Sequence, residues 1–132
     1  MNAVRIRLFA RLPVVAVLAS LATGCGEDAP TAPDADEARA LLMRTLDSWR
    51  EGRPITDQSA ASPPVVVSDM KWERGDRLAK YEVAPEPKPS GAQQKFRVTL
   101  WFADAGGKEK KDVAHYEVGL HPVPTVFRAM FQ

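Results

Sequence analysis

Between Asp34 and Gly52 the chain reads DADEARALLMRTLDSWREG, and its apolar residues recur at helical spacing. Ala38, Leu41, Leu42, Thr45, Leu46 and Trp49 fall on one stripe of a 3.6-residue repeat, while Arg39, Arg44, Asp47, Arg50 and Glu51 stay off it. Asp34 or Asp36 can cap the free N–H groups at the start, and Gly52 is placed to end the run. The spacing predicts one amphipathic helix of about four turns. A helix with a single apolar stripe must bury it, so the rest of the chain has to supply an apolar surface.

That surface is written downstream with period two. In QKFRVTLWFADAGGKEKK (94–111), Phe96, Val98, Leu100 and Phe102 alternate with Lys95, Arg97, Thr99 and Trp101. DAGGK (104–108) reads as a hairpin turn, because Gly106 and Gly107 can take positive φ. The return strand DVAHYEVGL sets Ala114, Tyr116 and Val118 on one face and Val113, His115 and Glu117 on the other. HPVP (121–124) turns the chain again, and TVFRAMF closes as a last strand whose edge is open to strand addition by a partner. Upstream, Val65–Val67 suggests a small strand or an extended segment crossing the helix end. ERGD (73–76) reads as a turn, Leu78, Tyr81 and Val83 lead into a strand, and APEPKPSGA (84–92) reads as a loop joining two strands. The expected fold class is α+β: one long N-terminal amphipathic helix packed on an antiparallel three- to four-stranded meander, all in a single domain over residues 36–132.

The chain before that domain has a different character. Residues 1–11 carry Arg5, Arg7 and Arg11 and no acid, and LPVVAVLASLA (12–22) is uncharged. This is the layout of a secretory signal, predicted over residues 1–24. The apolar run is too short for a membrane span, which needs roughly 20 residues, and Pro13 opposes a packed helix. The only cysteine of the 132 residues, Cys25, follows directly in SLATGCGED. It has no disulfide partner in the chain, and its flanking glycines and acids offer nothing that activates a thiol. LATGC resembles a bacterial lipobox, which implies acylation of Cys25 and anchoring to a cell-envelope membrane, with the domain on the extracytoplasmic side. Ala22 stands where such a motif usually has Leu, and ordinary cleavage after Ala22, leaving a free periplasmic protein, is the competing reading. Residues 25–35, rich in Pro, Ala and acids, read as a flexible tether.

Loss of the signal removes three cations, leaving 15 basic against 17 acidic residues. A basic footprint for nucleic acid is therefore not expected, and KEKK (108–111) reads as a solvated hairpin end. With two histidines and one cysteine, no metal site and no cofactor are expected. The partners expected are the membrane, through the lipid, and an envelope protein.

A helix followed by a curved antiparallel meander resembles the cystatin-like and nuclear-transport-factor-like cone folds. The phrases ALLMRTLDSWREG, SPPVVVSDMKWERGDRLAKYEV, KFRVTLWFADAGGKE and HYEVGLHPVPTVFR resemble small lipoproteins of planctomycete-type bacteria, across nearly the whole mature domain. The resemblance implies the fold and the envelope address. It implies no activity.

Five residues are candidates for ligand or partner contact: Trp72, Tyr81, Trp101, His115 and Glu117. His115 and Glu117 share a strand face and could serve as base and orienter if they lined a cavity; otherwise they decorate a solvent face or pack beside Trp101. Asp112 points to the opposite side. Trp72 and Tyr81 could clamp a ligand, with Asp69 or Asp76 as the polar contact, or Trp72 plugs the end of the sheet against the helix. Trp101 lies on the polar face of its strand, which implies cover by the Pro-rich loop or a partner surface. His121 reads as a turn residue. No phosphate-cradling glycine motif or nucleophile elbow is present, so no catalytic residue is assigned. Two functions are expected from different classes. One is a lipid-anchored, non-enzymatic binding or structural module; the other is a cone-type ligand binder or enzyme with a pocket near Tyr81, Trp101, His115 and Glu117.

Overall fold

The computed structural model describes residues 31–130. The segment read as a signal, the lipid-attachment candidate Cys25 and the tether up to Pro30 lie outside the described residues. The elements run α1 (Ala35–Arg50), α2 (Thr56–Ala60), β1 (Val66–Ser68), α3 (Met70–Glu73), β2 (Arg77–Val83), β3 (Lys88–Ser90), β4 (Gln93–Ala103), β5 (Glu109–Gly119) and β6 (Thr125–Arg128). Asp34 caps α1, its Oδ1 accepting from the N–H groups of Asp36 and Glu37 at 3.0 Å each. Gly52, at φ +82°, turns the chain out of the helix. The stripe Ala38, Leu41, Leu42, Thr45, Leu46 and Trp49 is buried, and it faces Phe96, Val98, Leu100 and Phe102 of β4 and Ala114, Tyr116 and Val118 of β5.

The sheet overturns the expected fold class. It is not a three- to four-stranded antiparallel meander under one long helix. It is a six-stranded mixed sheet in the order β1-β6-β5-β4-β2, with β3 pairing to β4, and it is accompanied by three helices, of which α1 has 16 residues. Two physical reasons account for the difference. β1 is three residues long and pairs in parallel with β6, Val66 opposite Thr125 and Ser68 opposite Phe127. So short a strand carries no period that announces a partner almost 60 positions away. The second reason lies in the stretch read as a loop, 84–92, which contains β3. There Pro89 sits at the sheet edge, where a missing N–H removes no ladder bond.

β2 and β3 run along the same edge of β4. Val83 is opposite Val98 and Lys88 is opposite Lys95. Four residues, 84–87, therefore stand against two, Phe96 and Arg97, and the proline-bearing bulge blunts that edge. β6 is not the open edge expected of the last strand, because β1 and β5 flank it on both sides.

Candidate functional site

The sheet has two chemically distinct faces. Its inner face meets the helices: Leu78, Tyr81 and Val83 of β2 are opposite Phe102, Leu100 and Val98. The outer face follows from the same register. Lys80 is opposite Trp101, which is opposite Lys111; Arg97 is opposite His115; Lys88 is opposite Lys95, which is opposite Glu117. Arg77, Ala103 and Glu109 form the row at the hairpin end, and Phe127 adjoins Glu117. The ammonium of Lys80 lies 4.4 Å from the centroid of the Trp101 ring, and that of Lys111 lies 5.8 Å from it. Both cations are attracted by the ring's π cloud.

The outer face thus carries six cations (Arg77, Lys80, Lys88, Lys95, Arg97, Lys111) and three carboxylates (Glu82, Glu109, Glu117). The described residues hold fifteen basic and fifteen acidic side chains in all, so the rest of the domain has nine and twelve. The outer face is therefore net positive by three and the remaining described side chains are net negative by three, although α1 itself is balanced, with Arg39, Arg44 and Arg50 beside Asp36, Glu37 and Asp47.

The five contact candidates separate across these faces. Trp101, His115 and Glu117 share the outer face. Tyr81 is on the inner face, where its hydroxyl donates to Asp47 Oδ1 at 2.8 Å and Arg50 lies 5.8 Å from its ring. Burial and the hydrogen bond to Asp47 push its pKa up to about 12. Trp72 is buried in the core, stacked on Trp49 with centroids 5.3 Å apart and planes 4° from parallel. Its Nε1 donates to the Arg53 carbonyl, and that of Trp49 donates to the Asp76 carbonyl. The pair forms the floor of an open hollow of about 1300 Å³ between the end of α1, α3 and the β4–β5 turn. His115 Nδ1 has no hydrogen-bond partner, so Glu117 does not orient that nitrogen. Among the described residues, Tyr81 is separated by the sheet from Trp101, His115 and Glu117, so the four do not line the expected cone pocket together.

Sequence reasoning missed the densest polar cluster. Asp69 caps α3, its Oδ1 accepting from Lys71 N at 2.9 Å and Trp72 N at 3.4 Å. Its Oδ2 accepts from the Tyr116 hydroxyl at 2.5 Å. Arg128 reaches Asp69 Oδ1 at 3.5 Å and Asp112 Oδ2 at 2.6 Å, and Lys71 reaches Asp112 Oδ2 at 2.7 Å. The Asp69 side chain is 1% exposed, so its charge is tolerable only because donors surround it. Burial and the Asp69 carboxylate push the Tyr116 phenol far above its ordinary value. Burial would raise the Asp112 pKa, but hydrogen bonds from Lys71 and Arg128 outweigh it and hold the carboxylate below its usual range. These groups satisfy one another, so the cluster pins α3 to β5 and β6. A signal for it exists in the alternation. Asp112 shares its face with Ala114, Tyr116 and Val118, and a tyrosine hydroxyl on a buried face needs a partner.

Among the described residues, no three His, Cys, Asp or Glu side chains converge as a metal-ligand set. Comparison of the chain with known protein families, with curated proteins and with solved structures finds no match.

Proposed function

We propose that this chain is an exported, lipid-anchored cell-envelope protein whose domain is a non-enzymatic binding module, presenting the outer sheet face to a partner. The carrying observation is that face itself: six cations against three carboxylates and a half-buried tryptophan, on a surface turned away from the helices, while the remaining described side chains are net negative. The lipid anchor rests on the signal layout and the lipobox-like LATGC. The cone-pocket alternative loses its support. The space between α1 and the sheet is filled by Leu41, Leu42, Leu46, Phe96, Val98 and Leu100, each at most 3% exposed, and Tyr81 lies on the opposite face from Trp101, His115 and Glu117.

Labelling of expressing cells with radioactive palmitate tests the address. The label should enter the wild-type chain and vanish in Cys25→Ser; label that persists in the variant, or never enters the wild type, overturns the anchor. A photo-crosslinking residue at position 97 tests the face. It should give adducts that the same residue at position 44, on the exposed side of α1, does not.

A further inference from the structure

The outer sheet face has a composition that selects its occupant. Cations occur in four of the cross-strand rows, Arg77 at the hairpin end, Lys80 and Lys111 beside Trp101, then Arg97, then Lys88 and Lys95, while the rows of Glu82, Thr99 and Val113 and of Ser90 and Gln93 carry none. They are spread over a broad sheet surface and do not converge on a pocket. A dispersed array suits a continuous anionic surface better than one compact anion, which would need convergent donors. Trp101 adds a second element. Indole rings favour the headgroup level of a bilayer, where an apolar body and a polar N–H are both accommodated, and lysine stems beside them let the ammonium groups reach phosphate. The outer face is net positive while the remaining described side chains are net negative, so the charge difference favours this face toward an anionic surface. Chain length permits the contact. From Cys25 to the start of α1 at Ala35 there are ten residues, a reach of at most about 35 Å.

We propose that the outer sheet face docks flat on an anionic phospholipid surface, with Arg77, Lys80, Lys88, Lys95, Arg97 and Lys111 over headgroup phosphates and Trp101 at headgroup depth. The inference rests on the binding-module reading for its surface and on the lipid anchor for its proximity. It names the membrane itself as the partner of the domain, not only of the lipid.

The full chain, purified from membranes, is reconstituted into vesicles of phosphatidylcholine alone or enriched in phosphatidylglycerol. The fluorescence of Trp101 is isolated by subtracting that of Trp101→Phe and is challenged with lipids carrying a headgroup-level quencher. Quenching is expected in the anionic vesicles, with little in the neutral ones, and it should disappear at high salt as the screening length contracts to about 3 Å at 1 M. Each cation near the surface strengthens docking about fivefold, so Lys95→Gln with Arg97→Gln should weaken it about 25-fold. An unchanged thermal midpoint shows that this variant is folded; should it fall, the salt dependence of the wild type alone decides. Equal quenching in both vesicle types, or none in either, overturns the proposal. So does a face that ignores vesicles but retains single-stranded nucleic acid. The anchor is read separately, by whether the chain floats with neutral vesicles. Flotation without Trp101 quenching sinks the docking face and spares the anchor, while docking to anionic vesicles without flotation on neutral ones does the reverse.

Discussion

Tyr116 donates its hydroxyl hydrogen to Asp69 Oδ2 at 2.5 Å, joining the middle of β5 to the cap of α3 across 47 positions of sequence. The bond closes a chain of donors around a carboxylate that water does not reach. Tyr116→Phe leaves one carboxylate oxygen without that donor and should cost about 1–3 kcal/mol. Asp69→Ala removes the helix cap and strands Arg128 and Tyr116, and should cost about 3–5 kcal/mol. Urea unfolding of both variants checks the order. A Tyr116→Phe variant as stable as the wild type, or one costlier than Asp69→Ala, contradicts this account of the cluster.

Tyr81 makes the matching tie on the other flank, from β2 to Asp47 of α1. Its pKa is raised to about 12 in the folded chain, by burial first and the Asp47 hydrogen bond second, against about 10 when unfolded. A raised folded pKa means that the native state holds the proton more tightly. The associated stability is fully present below about pH 10 and is lost as pH rises to about 12. Stability measured across that window should fall in the wild type and fall less steeply in Tyr81→Phe. Tyr116, also raised, leaves a residual slope of the same sign. Parallel curves for the two proteins would show that the Asp47 contact does not persist in solution.

How far the sequence reveals this fold depends on how many residues speak for each element. The stripe from Ala38 to Trp49 and the alternation from Phe96 to Phe102 each repeat often enough to fix which side is buried, and those side chains are in the core. β1 offers three residues, and its parallel partner is far along the chain, so no local pattern reveals that β6 is flanked on both sides. Pro89 reads as a breaker by its ring, yet at an edge the ring costs nothing, which hides β3. The site divides the same way. Parity alone puts Trp101, His115 and Glu117 on one face. Whether that face is covered depends on where the helices pack, and a polar-face tryptophan is compatible with either outcome. Asp69 was legible as a candidate polar contact beside Trp72, but its meeting with Arg128 requires the β1–β6 pairing to be known first.

Asp112 gives the acid side of the stability curve. Its folded pKa is held below the unfolded value, since hydrogen bonds from Lys71 and Arg128 overcome the opposing effect of burial. A depressed carboxylate pKa means that the unfolded chain binds the proton more readily. The contribution is present above about pH 3.9 and is lost as pH falls through the lowered folded value. Asp76, lowered chiefly by its hydrogen bond from Arg74, acts with the same sign. Asp112→Asn should be less stable than the wild type at neutral pH, and the gap should narrow as the solution is acidified. A gap that is constant with pH would mean that the loss is one of packing and not of charge.

Gly119 ends β5 directly opposite Thr125 of β6, and a Cβ placed on it would stand 2.8 Å from Thr125 Oγ1. Real Cβ atoms do not approach an oxygen so closely, so the strands must part or the threonine must turn. Gly119→Ala should therefore destabilise by about 1–3 kcal/mol, the usual cost of overfilling a packed site. The nearest other atoms, Gln93 Cγ at 3.6 Å and the Ala92 carbonyl oxygen at 3.8 Å, are at ordinary contact distance, which makes Thr125 Oγ1 the specific obstacle. Thr125→Ala removes that atom and should restore room for the new methyl. In a double-mutant cycle the two substitutions should cost less together than the sum of their separate costs, by about 0.5 kcal/mol or more. Strict additivity would mean that the added methyl is resisted by the backbone of the turn at Ala92 and not by the Thr125 hydroxyl.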